Sequence, residues 1–431
     1  MRLGQRRSGG GDGLYRGLLH HQHHCPHSQA TVSTIQRILN VDAAIVGGGI
    51  AGLWLLARLR ERGYSALLIE SERLGAGQTI CAQGIVHGGA KYSLHGQVSR
   101  SAEAVAGMPE LWRRCLRGED AIDLRGARLL AEHQYLWATG APISRLAAFF
   151  ASKLMRSRMD KVAADAEGAH AVPVALRHPA FHGTLYRLDE PVLDVASVLT
   201  TFAERYRDVI ARSQGPVTLK ADGTMTLHCV GHPQQVLRPA ITVFTAGAGN
   251  IGLPWVAQQL RPLHMVLARG INLPGPLYAH CLGASDLPQL TVTSHFDADG
   301  RLIWYLGGGL AEEGIKRDRH EQIRAARREL SALLPWVDWN PVEFATFTIQ
   351  RAEAQQPGGG RPAGPGVFRD GRVIAAWPTK LALAPLLAEQ IEEVLRSHGV
   401  RPRSTDLRAL MGWPRPEIAV YPWDRDDLEW S

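Results

Sequence analysis

The sequence predicts an α/β protein with a Rossmann-type nucleotide-binding domain into which a second, α+β domain is interleaved. Three observations carry this. A strand, glycine turn, helix and strand run through residues 41–71. A second buried strand ends in a small-residue turn at 240–250, after a long excursion. At 431 residues the chain also exceeds the length at which a single core stops growing.

The first unit is VDAAIVGGGIAGLWLLARLRERGYSALLIES. Apolar residues run unbroken into the turn, as in a parallel strand covered on both faces. The helix then places Leu53, Leu56, Ala57 and Leu59 inward, and SALLIE returns as a second buried strand. Gly47, Gly49 and Gly52 fit G-x-G-x-x-G, the spacing that lets backbone approach a pyrophosphate at a helix N-terminus. Glu70 closes the second strand where a carboxylate can bind ribose hydroxyls, which favours an unphosphorylated ribose.

Directly afterwards comes GQTICAQGIVHGGAKYSL, residues 77–94, another run of small residues. It lies too close to the first turn to belong to another domain, so it serves the same ligand. Further along, a helical period begins at about Asp194. Residues 217–231 read as two short strands around a D-G turn, and 291–309 as a hairpin turning at Asp299-Gly300. Residues 318–334 read as helix, 355–366 as a Pro/Gly-rich loop, and 371–395 as strand, loop and amphipathic helix.

Composition excludes several classes. The chain is 45% apolar and 21% charged, which is ordinary for a globular protein. Its formal charge is +7, but residues 1–40 hold five arginines against the single Asp12. The remaining body is nearly balanced, so nucleic acid is not an expected partner. Five scattered cysteines without C-x-x-C fit a reducing compartment. The uncharged apolar run Ala43–Ala57 is interrupted by four glycines and is too short to span a membrane. A cytoplasmic location is therefore expected, with peripheral membrane association at most.

Residues 1–39 read as a disordered, basic, His-rich extension. The cluster His20, His21, His23, His24, Cys25, His27 has metal-ligand chemistry, but a solvated extension is the stronger reading, and a transit peptide is a third. No metal is expected in the body of the chain.

These blocks resemble the FAD-dependent oxidoreductases of the D-amino-acid oxidase superfamily, and among them the flavin-linked glycerol-3-phosphate dehydrogenases. VFTAGAGN at 243–250 resembles the superfamily's second flavin block, and IVHGGAKYSL resembles that branch's I-H-G-G-L-R-Y-L. SAEAVA, 101–106, resembles the segment of that branch just C-terminal to I-H-G-G-L-R-Y-L. The resemblance implies FAD as cofactor and a Rossmann-type FAD-binding domain with an interleaved α+β substrate domain built on an antiparallel sheet. The implied FAD domain takes residues 40–100, 190–262 and 350–400, and the substrate domain 101–189 and 263–349. Residues 401–431 form a C-terminal tail.

The same resemblance implies site residues. Gln78, Thr79, Cys81, His87, Gly88, Gly89 and Gly247 join Gly47, Gly49, Gly52 and Glu70 around the cofactor. Lys91 and Tyr92 face the substrate. His264, in RPLHMVLARG, is the implied base; its alternative is a hydrogen-bonded strand histidine. Arg351, in IQRAEA, would clamp an anionic group, and Lys380, in PTKLALAPLLAE, would be a second anion contact. His280, His295 and His320 have no supporting pattern and read as structural. Cys81 has two readings: a small residue packed near the ring, or a thiolate bonded to the flavin 8-methyl carbon.

The pattern departs from that branch in three places. Trp377-Pro378-Thr379 stands where two glycines precede the lysine, Lys91 stands for arginine, and no additional C-terminal helical domain is expected. The implied activity is hydride transfer from a CH–OH or CH–NH centre of a small anionic metabolite to flavin N5. A quinone, a carrier protein or oxygen would accept the electrons. Two alternatives stand beside it: an amine or amino-acid oxidase, and a flavoprotein whose FAD is structural and which serves as a binding or accessory subunit. A nicotinamide-only dehydrogenase would leave the second glycine stretch without a role.

Overall fold

The computed structural model describes residues 38–88, 105–138, 159–163, 172–215, 217–283 and 288–431. The expectations for residues 1–37, Gly89, Lys91, Tyr92 and 101–104 lie outside the described residues.

In chain order the first elements are β1 (Leu39–Val46), α1 (Ile50–Glu61) and β2 (Ala66–Glu70). The chain continues through α2 (Met108–Arg117), β3 (Leu129–Ala131), β4 (Gln134–Ala138), β5 (Met159–Lys161), β6 (Thr184–Leu188) and β7 (Val192–Leu193). Then come α3 (Val195–Arg205), β8 (Ile210–Arg212), β9 (Met225–Leu227), β10 (Gln235–Phe244), β11 (Gln258–Arg269), β12 (Ala279–Leu282), β13 (Pro288–Phe296) and β14 (Leu302–Gly307). The last are α4 (Gly309–Glu313), α5 (Arg319–Leu333), β15 (Glu343–Ala354), β16 (Gly366–Asp370), β17 (Val373–Trp377) and α6 (Ala384–Ser397).

Among the described residues one sheet has the order β16-β17-β10-β1-β2-β8, with β9 on β10. β1 lies in parallel between β10 and β2. Its non-alternating apolar run is explained by burial on both faces: Ala43, Ala44 and Ile45 have no exposed surface. Trp54 of α1 meets Trp112 of α2 at 4.4 Å and Phe202 of α3 at 5.7 Å between ring centroids. On its other side α1 is tied to α6 by Arg58 Nε donating to Glu392 Oε2 at 2.5 Å. Asp194 caps α3 and Asp318 makes a capping box on α5, so both helix starts sit where polar residues satisfy the first-turn amides.

The other large sheet has the order β15-β11-β14-β13-β12-β4-β6-β5. It is antiparallel except for the β4–β12 pair, which is parallel. β11 and β15 run through the expected domain limits at 262 and 350, so both long strands extend past those limits.

The tail is a strap rather than a loose end. Pro414 O accepts from Arg212 N at 2.9 Å beside the first sheet, and Leu74 bonds Glu417 and Ala419. Trp423 is buried under the second sheet, where Ser431 and Phe344 exchange backbone hydrogen bonds. No helix among the described residues is long and apolar enough to cross a membrane.

Candidate functional site

The turn between β1 and α1 and the first turn of α1 each hold a glycine that tolerates no side chain. Gly47 has φ +112°, and a Cβ there would lie 2.7 Å from the backbone of Ala246. A Cβ on Gly52 would lie 2.0 Å from Gly47 O. Gly49 caps α1 without a side-chain oxygen, which keeps the helix end as a phosphate-binding terminus. Glu70 Oε2 accepts from Gly48 N at 2.6 Å, so the acid that ends β2 also shapes the glycine turn. This cradle fits a dinucleotide.

The block after β10 closes on the same turn. The Thr245 hydroxyl donates to Gly47 O at 3.0 Å, and Asn250 Oδ1 accepts from Ala246 N. Gly247, at φ +57°, accepts on its carbonyl from Trp377 Nε1 at 3.1 Å. One surface therefore brings together residues 47, 247 and 377.

The second small-residue stretch is the bridge between the two sheets. Thr79 Oγ1 accepts from Ile50 N at 3.1 Å, next to the first glycine turn. Gln78 Oε1 accepts from Ala352 N of β15 at 2.9 Å. Cys81 O accepts from the Tyr305 hydroxyl at 2.7 Å, and Gln83 Nε2 donates to Tyr305 O at 2.9 Å. Gly84, at φ +73°, has Leu193 O where a Cβ would stand, at 2.2 Å. Burial pushes the Cys81 thiol up to about 11, so it is protonated at neutral pH, which disfavours the thiolate reading.

Strand parity identifies the sheet face that meets this stretch. Paired residues point the same way and successive ones alternate. Met265, Tyr305, Thr293 and His280 therefore share one face, the face that touches Cys81 and Gln83. His264 stands on the other face with Val266 and Ala268, which pack with Ile323, Ala326 and Leu330 of α5. Its Nδ1 donates to Gly314 O at 3.0 Å, and its carbonyl accepts from Gln322 Nε2. The expected base is thus a hydrogen-bonded strand histidine turned toward α5, and the structure does not bring it to the glycine stretches.

In its place stands a cluster in which only His87 has a motif behind it. His87 Nδ1 lies 3.1 Å from Glu190 Oε2, and Gly88 N donates to Glu190 Oε1 at 2.8 Å. His280 stacks on His87 at 5.9 Å between centroids and bonds Thr291 Oγ1 through Nδ1 at 2.8 Å. Burial opposes ionisation of Glu190, but His87, the hydrogen bond it makes, His280 and the Gly88 amide together hold the carboxyl down at about 2. No metal is expected in the body of the chain; one donor atom from each of His87, Glu190 and His280 lies within 4.8 Å of the others. Glu190 precedes Pro191 in a segment whose only sequence signal is the helix beginning near Asp194. His280 sits in an apolar strand. Neither is visible before the strands are paired.

The two implied anion contacts differ. Arg351 is paired with Arg261 across β15 and β11 and reaches Glu312 at 3.4 Å, where Arg361 also binds. Burial, reinforced by the charges of Arg261 and Arg361, draws its guanidinium down to about 10, and it remains a cation at neutral pH. Lys380 is partly buried at the start of the turn leading to α6. Before it, Thr379 has φ +64°, the one non-glycine residue at positive φ among those described, and its hydroxyl donates to Gly364 O at 2.8 Å. The backbone here keeps the left-handed form that glycine adopts freely, although the side chain is β-branched.

A family model described as FAD dependent oxidoreductase (DAO) matches residues 42–378. The chain is 45% identical over 393 residues to a protein of Pseudomonas aeruginosa called probable FAD-dependent oxidoreductase PA4991, covering 90% of this chain and 98% of that one. The crystal structure of PA4991 aligns with TM-score 0.76 at 40% identity, over 90% of this chain and 98% of that one. Glycine oxidase from Geobacillus kaustophilus aligns with TM-score 0.57 at 15% identity, over 86% of this chain and 98% of that one. L-alpha-glycerophosphate oxidase from Mycoplasma pneumoniae, with FAD bound, aligns with TM-score 0.55 at 11% identity, over 90% and 98%. The last two share the fold alone.

Proposed function

The chain belongs to the DAO family of FAD-dependent oxidoreductases, and from that premise we propose that it oxidises a CH–OH or CH–NH centre of a small anionic metabolite. The observation that carries the reading is the position of residues 78–88. They run from the N-terminus of α1, where Thr79 meets Ile50, to the polar face of the second sheet, and end at His87 on a buried, ionised carboxylate.

Bound FAD supplies a two-electron acceptor for hydride. Gly47, Gly49 and Gly52 would hold its pyrophosphate on the end of α1, Glu70 would bind ribose hydroxyls, and Gly84 and Gly88 would let backbone lie close to the ring. Cys81 and Gly247 would line the same surface.

The base role passes from His264 to His87. With Nδ1–H donating to Glu190 Oε2, Nε2 of His87 carries the lone pair that takes the proton from substrate oxygen or nitrogen. Glu190 fixes the tautomer and stabilises the imidazolium that results. Arg351 sits among three guanidiniums, Arg261, Arg351 and Arg361, against the carboxylates of Glu312 and Glu353. That surplus of positive charge supports an anion anchor, with Lys380 and Tyr92 as further substrate contacts. Glycine and glycerophosphate, named for two proteins of similar fold, both carry an anionic group, which supports the same substrate class. A quinone, a carrier protein or oxygen would then take the electrons.

Anaerobic titration of the purified yellow protein with hydroxy acids, amino acids and phosphate esters tests this reading. Bleaching near 450 nm by one class identifies the centre oxidised, and peroxide formed on re-aeration identifies oxygen as acceptor. Bleaching by dithionite but by no member of the panel overturns the reading in favour of a structural FAD.

A further inference from the structure

We infer that His87, Glu190 and His280 form a binding site for a divalent transition metal of the zinc class. The inference goes beyond the redox reading: a metal on His87 Nδ1 replaces the proton that this nitrogen shares with Glu190 Oε2, so the metal-loaded site is a state distinct from the one in which His87 takes the substrate proton.

Two neutral imidazoles and one carboxylate are a donor set that zinc takes with a fourth position left open. The three donor atoms already lie within 4.8 Å of one another. Tetrahedral zinc with bonds of 2.0–2.1 Å needs its donors about 3.3 Å apart, and the His87 Nδ1 to Glu190 Oε2 separation is 3.1 Å. Metal binding would draw in the wider separations, which reach up to 4.8 Å.

The donors are held from outside the cluster, as metal ligands are. Glu190 Oε1 is bound by the Gly88 amide, leaving Oε2 toward the histidines. His280 Nδ1 and the Thr291 hydroxyl share a hydrogen bond of 2.8 Å; in the tautomer where Nδ1–H donates, the lone pair of that ring is on Nε2. Backbone bonds from Val86 N to Pro191 O and from Leu193 N to Gly84 O, both 2.9 Å, fix the two loop segments against each other. His280 is set in β12 between β4 and β13.

The full-length, FAD-loaded protein tests the site, with His20, His21, His23, His24 and His27 changed to Ala and Cys25 to Ser so that the N-terminal cluster does not compete. Calorimetric titration with zinc chloride after chelator treatment should show about one equivalent bound. His280→Ala and Glu190→Gln should each weaken it by about 10- to 100-fold, and Thr291→Val by about 10-fold. FAD content and melting temperature report whether each variant is folded, and His280→Gln replaces any that is not. No heat and no retained zinc at about 1 mM, a concentration weak enough to detect any real site, overturns the inference, as does unchanged affinity in the folded His280 and Glu190 variants. Zinc binding reads no redox activity. A failed titration therefore leaves the hydride reading standing, and a failed bleaching panel leaves the metal site standing.

Discussion

His87 and Glu190 come from segments 103 residues apart and meet at 3.1 Å through Nδ1 and Oε2. The pair joins the loop after the nucleotide turn to the turn between β6 and β7. Its acidic member is buried yet held at about 2, below the ordinary 4.5.

A depressed carboxylate stabilises the folded state above its unfolded pKa, and that contribution is lost as pH falls through the folded pKa. For Glu190 the window is pH 4.5 down to about 2. Thermal unfolding across this range should show wild type losing up to about 3 kcal/mol more than Glu190→Gln. Parallel acid profiles for the two proteins would contradict the pairing.

His264→Leu should cost about 1–2 kcal/mol by leaving the Gly314 carbonyl without its donor. Bound-flavin absorption should be unchanged. Once the bleaching panel supplies a substrate, the pH profile of flavin reduction should survive in His264→Leu and be lost in His87→Asn. The opposite assignment of profiles would return the base role to His264.

Cys81, with its thiol near 11, should react slowly with iodoacetamide in the native protein at pH 7.5 and form no bond to flavin. Acid precipitation and then mass spectrometry should find all FAD in the supernatant and the polypeptide at its unmodified mass. A peptide-bound flavin would refute this.

Thr379 combines a left-handed backbone, worth about 1–3 kcal/mol of strain, with a hydroxyl bond to Gly364 O. Thr379→Val keeps the strain and removes the bond, so it should destabilise by about 1–2 kcal/mol. In Thr379→Gly the two losses largely offset, and chemical denaturation should place it within about 1 kcal/mol of wild type. A Val variant as stable as wild type would show that the hydroxyl does nothing for the turn.

The sequence alone determined the parts whose signal is local. Gly52 is required by the Gly47 carbonyl within one strand–turn–helix unit, Gly47 fits the same local G-x-G-x-x-G spacing, and the periods of α1, α3 and α5 are written in consecutive residues. The block at 243–250 and the bridging stretch from Gln78 to Gly88 were legible because each carries its small residues contiguously. Tertiary structure alone decided which face His264 takes. Its strand is apolar on both sides because α5 covers one and the 78–88 stretch meets the other, so no alternation marks the inward side. It also decided that residues 87, 190 and 280 form one cluster. That contact depends on the pairing of β4 with β12 and on Glu190 reaching the Gly88 amide, relations between distant segments that no local pattern records.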